Sequence, residues 1–223
     1  MWLMQKNGVI FDFNGTLFWD SEYQEKSWDE YLAAHHIFLT EQQKRDYIHG
    51  RNGKDTLEIL FKRPFSEEEV HQYSEEKEVL YRNECLKHNM ELAPGALDLL
   101  DYLKANNIPR AIATASGKSN VEFFIDKFNL LDYFEEEHIV FDDGTVKGKP
   151  HPDLFDRAIH RLGVDKTESI IFEDSHSGVQ AALNCQVGHV IIVNSTNSDY
   201  SDFDLPIITH FDGFDRGLIN TVD

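Results

Sequence analysis

The chain has 223 residues, 41% hydrophobic and 27% charged, enough to bury a real core as one domain with an insert or as two small domains. Forty acidic against 21 basic side chains give a net charge of −19, which opposes DNA, RNA and anionic membranes, so an anionic substrate has to be attracted locally. The first eight residues show no charged leader ahead of an apolar run, no apolar stretch approaches the roughly 18 residues of a membrane span, and neither Cys85 nor Cys185 has a metal-type spacing; the expectation is a cytoplasmic protein with reduced, partly buried thiols.

In chain order, the apolar run Gly8-Val9-Ile10-Phe11 ends at Asp12 and is followed by Asn14-Gly15, a buried strand delivering an acid to a turn. Residues 21–35 have helical spacing with Tyr23, Trp28, Tyr31 and Leu32 toward one side, and residues 40–49 and 53–61 read as shorter helices. Ser66-Glu67-Glu68-Glu69 is a capping box, from which Val70, Tyr73, Val79, Leu80 and Leu86 continue a long amphipathic helix. This stretch reads as a four-helix insert, residues 18–91.

From Pro94-Gly95, which opens a helix through Lys104, helices and strands alternate: a strand at 108–114, a helix at 120–128, a strand at 169–172, a helix at 175–183, and strands at 190–193 and 206–209. Residues 138–141 and 145–146 about Asp143-Gly144 suggest a small hairpin, and Pro152 suits the first turn of a helix running to Leu162. Strand–helix alternation implies a parallel α/β sheet of Rossmann-like type with right-handed crossovers, formed by residues 1–17 and 92–223.

Four places along this core could carry chemistry. Asp12, at a strand end, suits a nucleophile or a metal ligand, although alone it serves equally as a loop cap. Thr114 closes the second strand in Ala113-Thr114-Ala115-Ser116-Gly117, where a hydroxyl beside backbone amides can bind a phosphoryl oxygen; Ser116 as a helix cap is the ordinary alternative. Lys149, stiffened by Pro150 and Pro152, can neutralise an anion as a point charge, whereas most loop lysines are merely solvated. Glu173-Asp174 again ends an apolar strand in acids, a hard-oxygen pair suited to Mg²⁺ and hard to hold uncompensated if buried.

Together these motifs resemble the haloacid dehalogenase superfamily in their order of nucleophile, hydroxyl, lysine and acidic pair, over essentially the whole chain. Pro94-Gly95, Lys149-Pro150-His151-Pro152-Asp153 and Glu173-Asp174-Ser175 look most like its β-phosphoglucomutase-like branch with a helical cap. The resemblance implies a hydrolase of a small phosphorylated metabolite, sugar phosphates among the candidates. In it, Asp12 attacks phosphorus to form an aspartyl-phosphate, Thr114, Ser116 and Lys149 hold the phosphoryl group, and Mg²⁺ is bound by Asp12, the Asn14 carbonyl and Asp174, with Glu173 bound directly or through water. Gly50, Arg51, Asn52 and Lys54 are the cap residues to test for substrate contact, with a solvated helix-connecting turn as the alternative. No nucleic-acid or membrane partner is expected, and a monomer is.

One departure matters. The family carries a second acid where this chain has Asn14, and an amide cannot act as general acid or base. His176 is a candidate substitute, with a helix-capping or surface histidine as the ordinary alternative. The family's mutase histidine falls at Gln24, which argues against a sugar phosphomutase, and a non-catalytic phospho-ligand binder is the other reading. Lys54 does not match the Schiff-base lysine of phosphonoacetaldehyde hydrolase-like proteins, and Glu173-Asp174 argues against a metal-free dehalogenase.

Overall fold

A computed structural model describes residues 7–48 and 53–219. The described residues divide into two compact units, one up to Trp19 and from Glu91 onward, the other Asp20–Met90.

The first unit is built on six strands: β1 (Val9–Phe11), β2 (Arg110–Ala113), β3 (Ile139–Val140), β4 (Ile170–Glu173), β5 (His189–Val193) and β6 (Ile207–Ile208). They form one sheet in the order β3-β2-β1-β4-β5-β6, with every pair parallel. The inner strands β1 and β4 are buried on both faces, which is why they read as unbroken apolar runs rather than as an alternation. The period of two still separates the faces. Ile10 and Ile171 join Ala111, Ala113, Val179 and Ala182 in one core cluster with Leu154, Phe155 and Ala158. On their neighbours Phe11 and Phe172 the rings stack at 5.1 Å, with Phe211 6.0 Å and 5.3 Å from them.

The helices of this unit are α5 (Ala96–Ala105), α6 (Lys118–Phe128), α7 (Asp153–Leu162) and α8 (His176–Cys185), and those of the other unit are α1 (Ser21–Ala34), α2 (Glu41–Tyr47), α3 (Gly53–Phe61) and α4 (Glu67–Cys85). The Ser66 capping box forms as read: Ser66 N donates to Glu69 Oε2 at 2.9 Å and Glu69 N donates to Ser66 Oγ at 3.3 Å. A second one, Thr40 with Gln43, opens α2; its Thr-x-x-Gln spacing was there to be read. Val70, Tyr73 and Leu80 of α4 pack against Tyr31, Leu57 and Phe65 as expected, but the rest of its buried face differs. Val79 and Leu86 are exposed, while Lys77, Tyr81 and Cys85 are buried. A polar network lies beside that apolar seam: Lys77 donates to Gln24 Oε1 at 2.6 Å, Gln24 Nε2 to Asp20 Oδ2 at 3.1 Å, and the Tyr81 hydroxyl to the same Asp20 oxygen at 2.6 Å.

Two further expectations are corrected. The hairpin about Asp143-Gly144 does not form: β3 pairs parallel to β2, and Asp142 and Asp143 accept from Gly144 N at 2.9 Å and Thr145 N at 3.0 Å. Asp side chains that satisfy the following amides locally remove the donors a hairpin ladder needs. Both cysteines are fully rather than partly buried, and burial pushes each thiol up to about 12.

Candidate active site

The site follows from the sheet register. Phe11 lies opposite Ile112 on one side and Phe172 on the other, which sets Asp12 level with Glu173, and Asp12 N continues the ladder by donating to Phe172 O at 3.0 Å. The apolar strands thus release three chain segments at one sheet edge, outside the carboxyl ends where the strand order reverses about β1.

After Asp12 the chain turns tightly. Phe18 N donates to Phe13 O at 2.9 Å and Gly15 N to Phe18 O at 2.7 Å. Gly15 has φ +80°, and the Asp174 carboxylate occupies the space a Cβ would need. Glycine is therefore required on both backbone and packing grounds. The turn also delivers Thr16, whose buried hydroxyl donates to Asp174 Oδ1 at 3.0 Å.

Lys149 closes the cluster. Its segment is tied down by Lys147 N donating to Asp153 Oδ2 at 3.0 Å and by Asn184 Nδ2 donating to Pro150 O at 2.9 Å. Its side chain is only 8% exposed, and its ammonium donates to Asp12 Oδ1 and Glu173 Oε1, both at 2.5 Å. Glu173 turns its other oxygen to the start of α8, accepting from Ser175 N at 2.5 Å and Ser175 Oγ at 3.1 Å. A carboxylate there also meets the positive end of the helix dipole. Gly178, one turn into α8, makes room for it, because a Cβ would overlap the Glu173 carboxylate.

Carboxylate oxygens of Asp12, Glu173 and Asp174 all lie within 4.8 Å of one another. Burial raises the Asp12 carboxyl to about 7, with Glu173 adding to the rise and Lys149 opposing it. Asp174 is raised well above the usual carboxylate range by burial, then by Glu173 and Asp12. Burial works against the Lys149 charge as well, but Asp12 and Glu173 outweigh it and hold its pKa above normal. Three clustered carboxylates thus face one ammonium. An all-oxygen donor set short of positive charge is what a small divalent cation such as Mg²⁺ fits.

Thr114 and Ser116 stand beside this cluster. Thr114 is buried, and its hydroxyl oxygen accepts from Ser116 N at 3.1 Å, which leaves the hydroxyl hydrogen to donate. Ser116 Oγ donates to Asn14 Oδ1 at 2.8 Å, joining the β1 and β2 loops. His176 is placed elsewhere: its ring stacks on Tyr200 at 4.8 Å and its Nε2 lies 3.6 Å from Asp202. Arg51, with Gly50 and Asn52, lies outside the described residues, and Lys54 is exposed in the first turn of α3 in the helical unit.

Residues 9–192 match the haloacid dehalogenase-like hydrolase family. The chain belongs to that family. A haloacid dehalogenase-type hydrolase, family IA variant 3, from Entamoeba histolytica is 34% identical in sequence with a TM-score of 0.86, over 95% of this chain and 96% of that one. β-Phosphoglucomutase from Clostridium difficile shares the fold at 22% identity and a TM-score of 0.70, over 92% of each chain. Protein CbbY of Rhodobacter capsulatus is 29% identical over 128 residues; that match spans 55% of this chain and 56% of the relative, about half of its length.

Several residues of the cluster escaped the sequence reading. Thr16, directly after the Gly15 turn, had a signal in its position. Gly178 and Tyr200, whose hydroxyl donates to the Asp174 carbonyl oxygen, had none. Tyr200 comes from a segment rich in Ser, Asn and Asp that reads as a plain loop.

Proposed function

We propose that the chain is a Mg²⁺-dependent hydrolase of small phosphorylated metabolites, sugar phosphates among them. The observation that carries this reading is the meeting of Asp12, Lys149, Glu173 and Asp174 at the carboxyl edge of the parallel sheet. Asp12, Asp174, Glu173 and the Asn14 carbonyl would hold the cation, which supplies charge to offset a phosphoryl group among carboxylates. The Asp174 carboxylate packs against the Cα of Gly15, so the Asn14–Gly15 peptide borders the donor set.

In this reading Asp12 attacks phosphorus in line and becomes an aspartyl-phosphate, which water then hydrolyses. Lys149 stays charged and spreads its charge over the equatorial oxygens, and the Thr114 hydroxyl orients them, joined by Ser116 if its hydroxyl turns from Asn14 Oδ1. A net charge of −19 leaves long-range attraction to none of these groups, so local binding carries substrate capture. Substitution of Arg51 and Lys54 asks whether the helical unit contributes to substrate choice.

A screen of phosphorylated metabolites with Mg²⁺, comparing the chain with Asp12→Ala, tests the proposal. Phosphate release that survives Asp12→Ala would refute it. The second reading, a binder of phosphorylated ligands without turnover, rests on Asn14; binding without release across the screen would favour it.

A further inference from the structure

We propose that this site takes its phosphoryl group from donors whose leaving group departs without a proton, acyl phosphates first among them, and then holds it on Asp12 far longer than the transfer takes. The inference rests on Asp12 being the nucleophile, as proposed above.

The geometry commits the titratable groups of the cluster to one another. The Asp12 and Glu173 carboxylates share the Lys149 ammonium, Glu173 also receives Ser175 N, and Asp174 receives Thr16. His176 is engaged with Tyr200 and Asp202. The side chain two residues beyond the nucleophile is the Asn14 carboxamide, whose oxygen accepts from the Ser116 hydroxyl at 2.8 Å. Whatever else its N–H groups meet, a carboxamide carries no titratable proton and cannot transfer one to a leaving oxygen.

The consequence differs between the two half-reactions. In the first, an Asp12 oxygen bonds to phosphorus and the bond from phosphorus to the leaving oxygen breaks, its electron pair going with the leaving group. An alkoxide needs a proton at that moment, and lacking a general acid costs about 10²–10⁴-fold. A carboxylate is already a stable anion and needs none. In the second, water attacks the aspartyl-phosphate, the pair returns to Asp12, and the water proton passes to solvent. No group at Asn14 can take that proton, so this step is slow for every donor, and the phosphoenzyme accumulates. Transfer from one carboxylate to another exchanges like anhydride for like, so the first step runs without a large energetic gap.

The experiment incubates the full chain with Mg²⁺ and acetyl phosphate, p-nitrophenyl phosphate or an alkyl phosphate, alongside Asn14→Asp and Asp12→Ala. Intact-protein mass and peptide mapping read the adduct, and released phosphate reads turnover. The expected result is one hydroxylamine-labile phosphoryl group on Asp12 with acetyl phosphate, and a rate of adduct formation that falls steeply as the leaving group becomes more basic. Asn14→Asp should speed alkyl phosphates by about 10²-fold or more and abolish accumulation. Wild-type turnover of the alkyl phosphate as fast as of acetyl phosphate, with no adduct, would overturn the inference and leave the hydrolase reading standing. Absence of any Asp12-dependent adduct or release in both wild type and Asn14→Asp would overturn both. Should Asn14→Asp not fold, the wild-type leaving-group series decides alone.

Discussion

Gly178→Ala isolates the geometry that sets Lys149. The alanine Cβ would overlap the Glu173 carboxylate, which is the far end of a side chain that is only 1% exposed and fixed at both oxygens. It cannot swing aside without leaving Lys149 at 2.5 Å or Ser175 N at 2.5 Å. Breaking a buried charge pair on one side costs about 3–5 kcal/mol. Alanine in place of glycine inside a helix returns about 1 kcal/mol. The net is a loss of about 2–4 kcal/mol, a fall in Tm of about 5–15 °C at this chain length. Gly213→Ala is the control, since nothing lies within 4 Å of the Cβ it would add. Thermal unfolding of both variants in chelator, followed by Mg²⁺ titration, measures the effect. A Gly178→Ala protein that melts with wild type and binds Mg²⁺ equally well would show that Glu173 is not held against α8, and the assembly of the cluster would need another cause.

Other outcomes follow from the same cluster. Folded Asp12 holds its proton up to a pKa of about 7 against an ordinary 3.8, so between these values the folded chain binds a proton the unfolded chain has released. In chelator, wild type should therefore lose stability relative to Asp12→Asn as pH rises through that window, and the Mg²⁺-induced gain in Tm should be larger at pH 8 than at pH 5; a difference that grows in favour of wild type would contradict the burial argument. Mg²⁺ affinity should fall far more in Asp174→Ala than in Asn14→Ala, because position 14 contributes a carbonyl that alanine keeps; equal losses by calorimetric titration would sink that assignment. Asn14-Gly15 should resist the deamidation typical of such pairs, since Gly15 N is bonded to Phe18 O at 2.7 Å and Asn14 Oδ1 to Ser116, which holds the attacking atoms apart; an acid-containing peptide building up in aged protein would refute this.

Much of this protein was legible in its sequence, because the relevant forces are local. Apolar runs that end in acids mark strands buried on both faces, and the ends of parallel strands meet at one edge whatever fills the loops. That is why Asp12, Thr114 and Glu173-Asp174 could be named along the chain; Lys149 stood out in its loop by the prolines beside it, and Ser66 gave its helix start by its capping box. The errors came where a local pattern had two solutions. Asp143-Gly144 suits a hairpin turn, but its Asp side chains satisfy the loop amides. The face of α4 follows neither Val79 nor Leu86, because the partners that bury Lys77 and Tyr81, Gln24 and Asp20, lie more than 50 residues away. Tertiary structure alone decided what the site residues are to one another. Lys149 bridges Asp12 and Glu173 across 137 and 24 residues of chain, Thr16 reaches Asp174 across 158, and Ser116 reaches Asn14 across 102. Distances of that kind depend on register and crossover, and no periodicity in a single sequence encodes them; they exist only once the sheet has set its strands side by side.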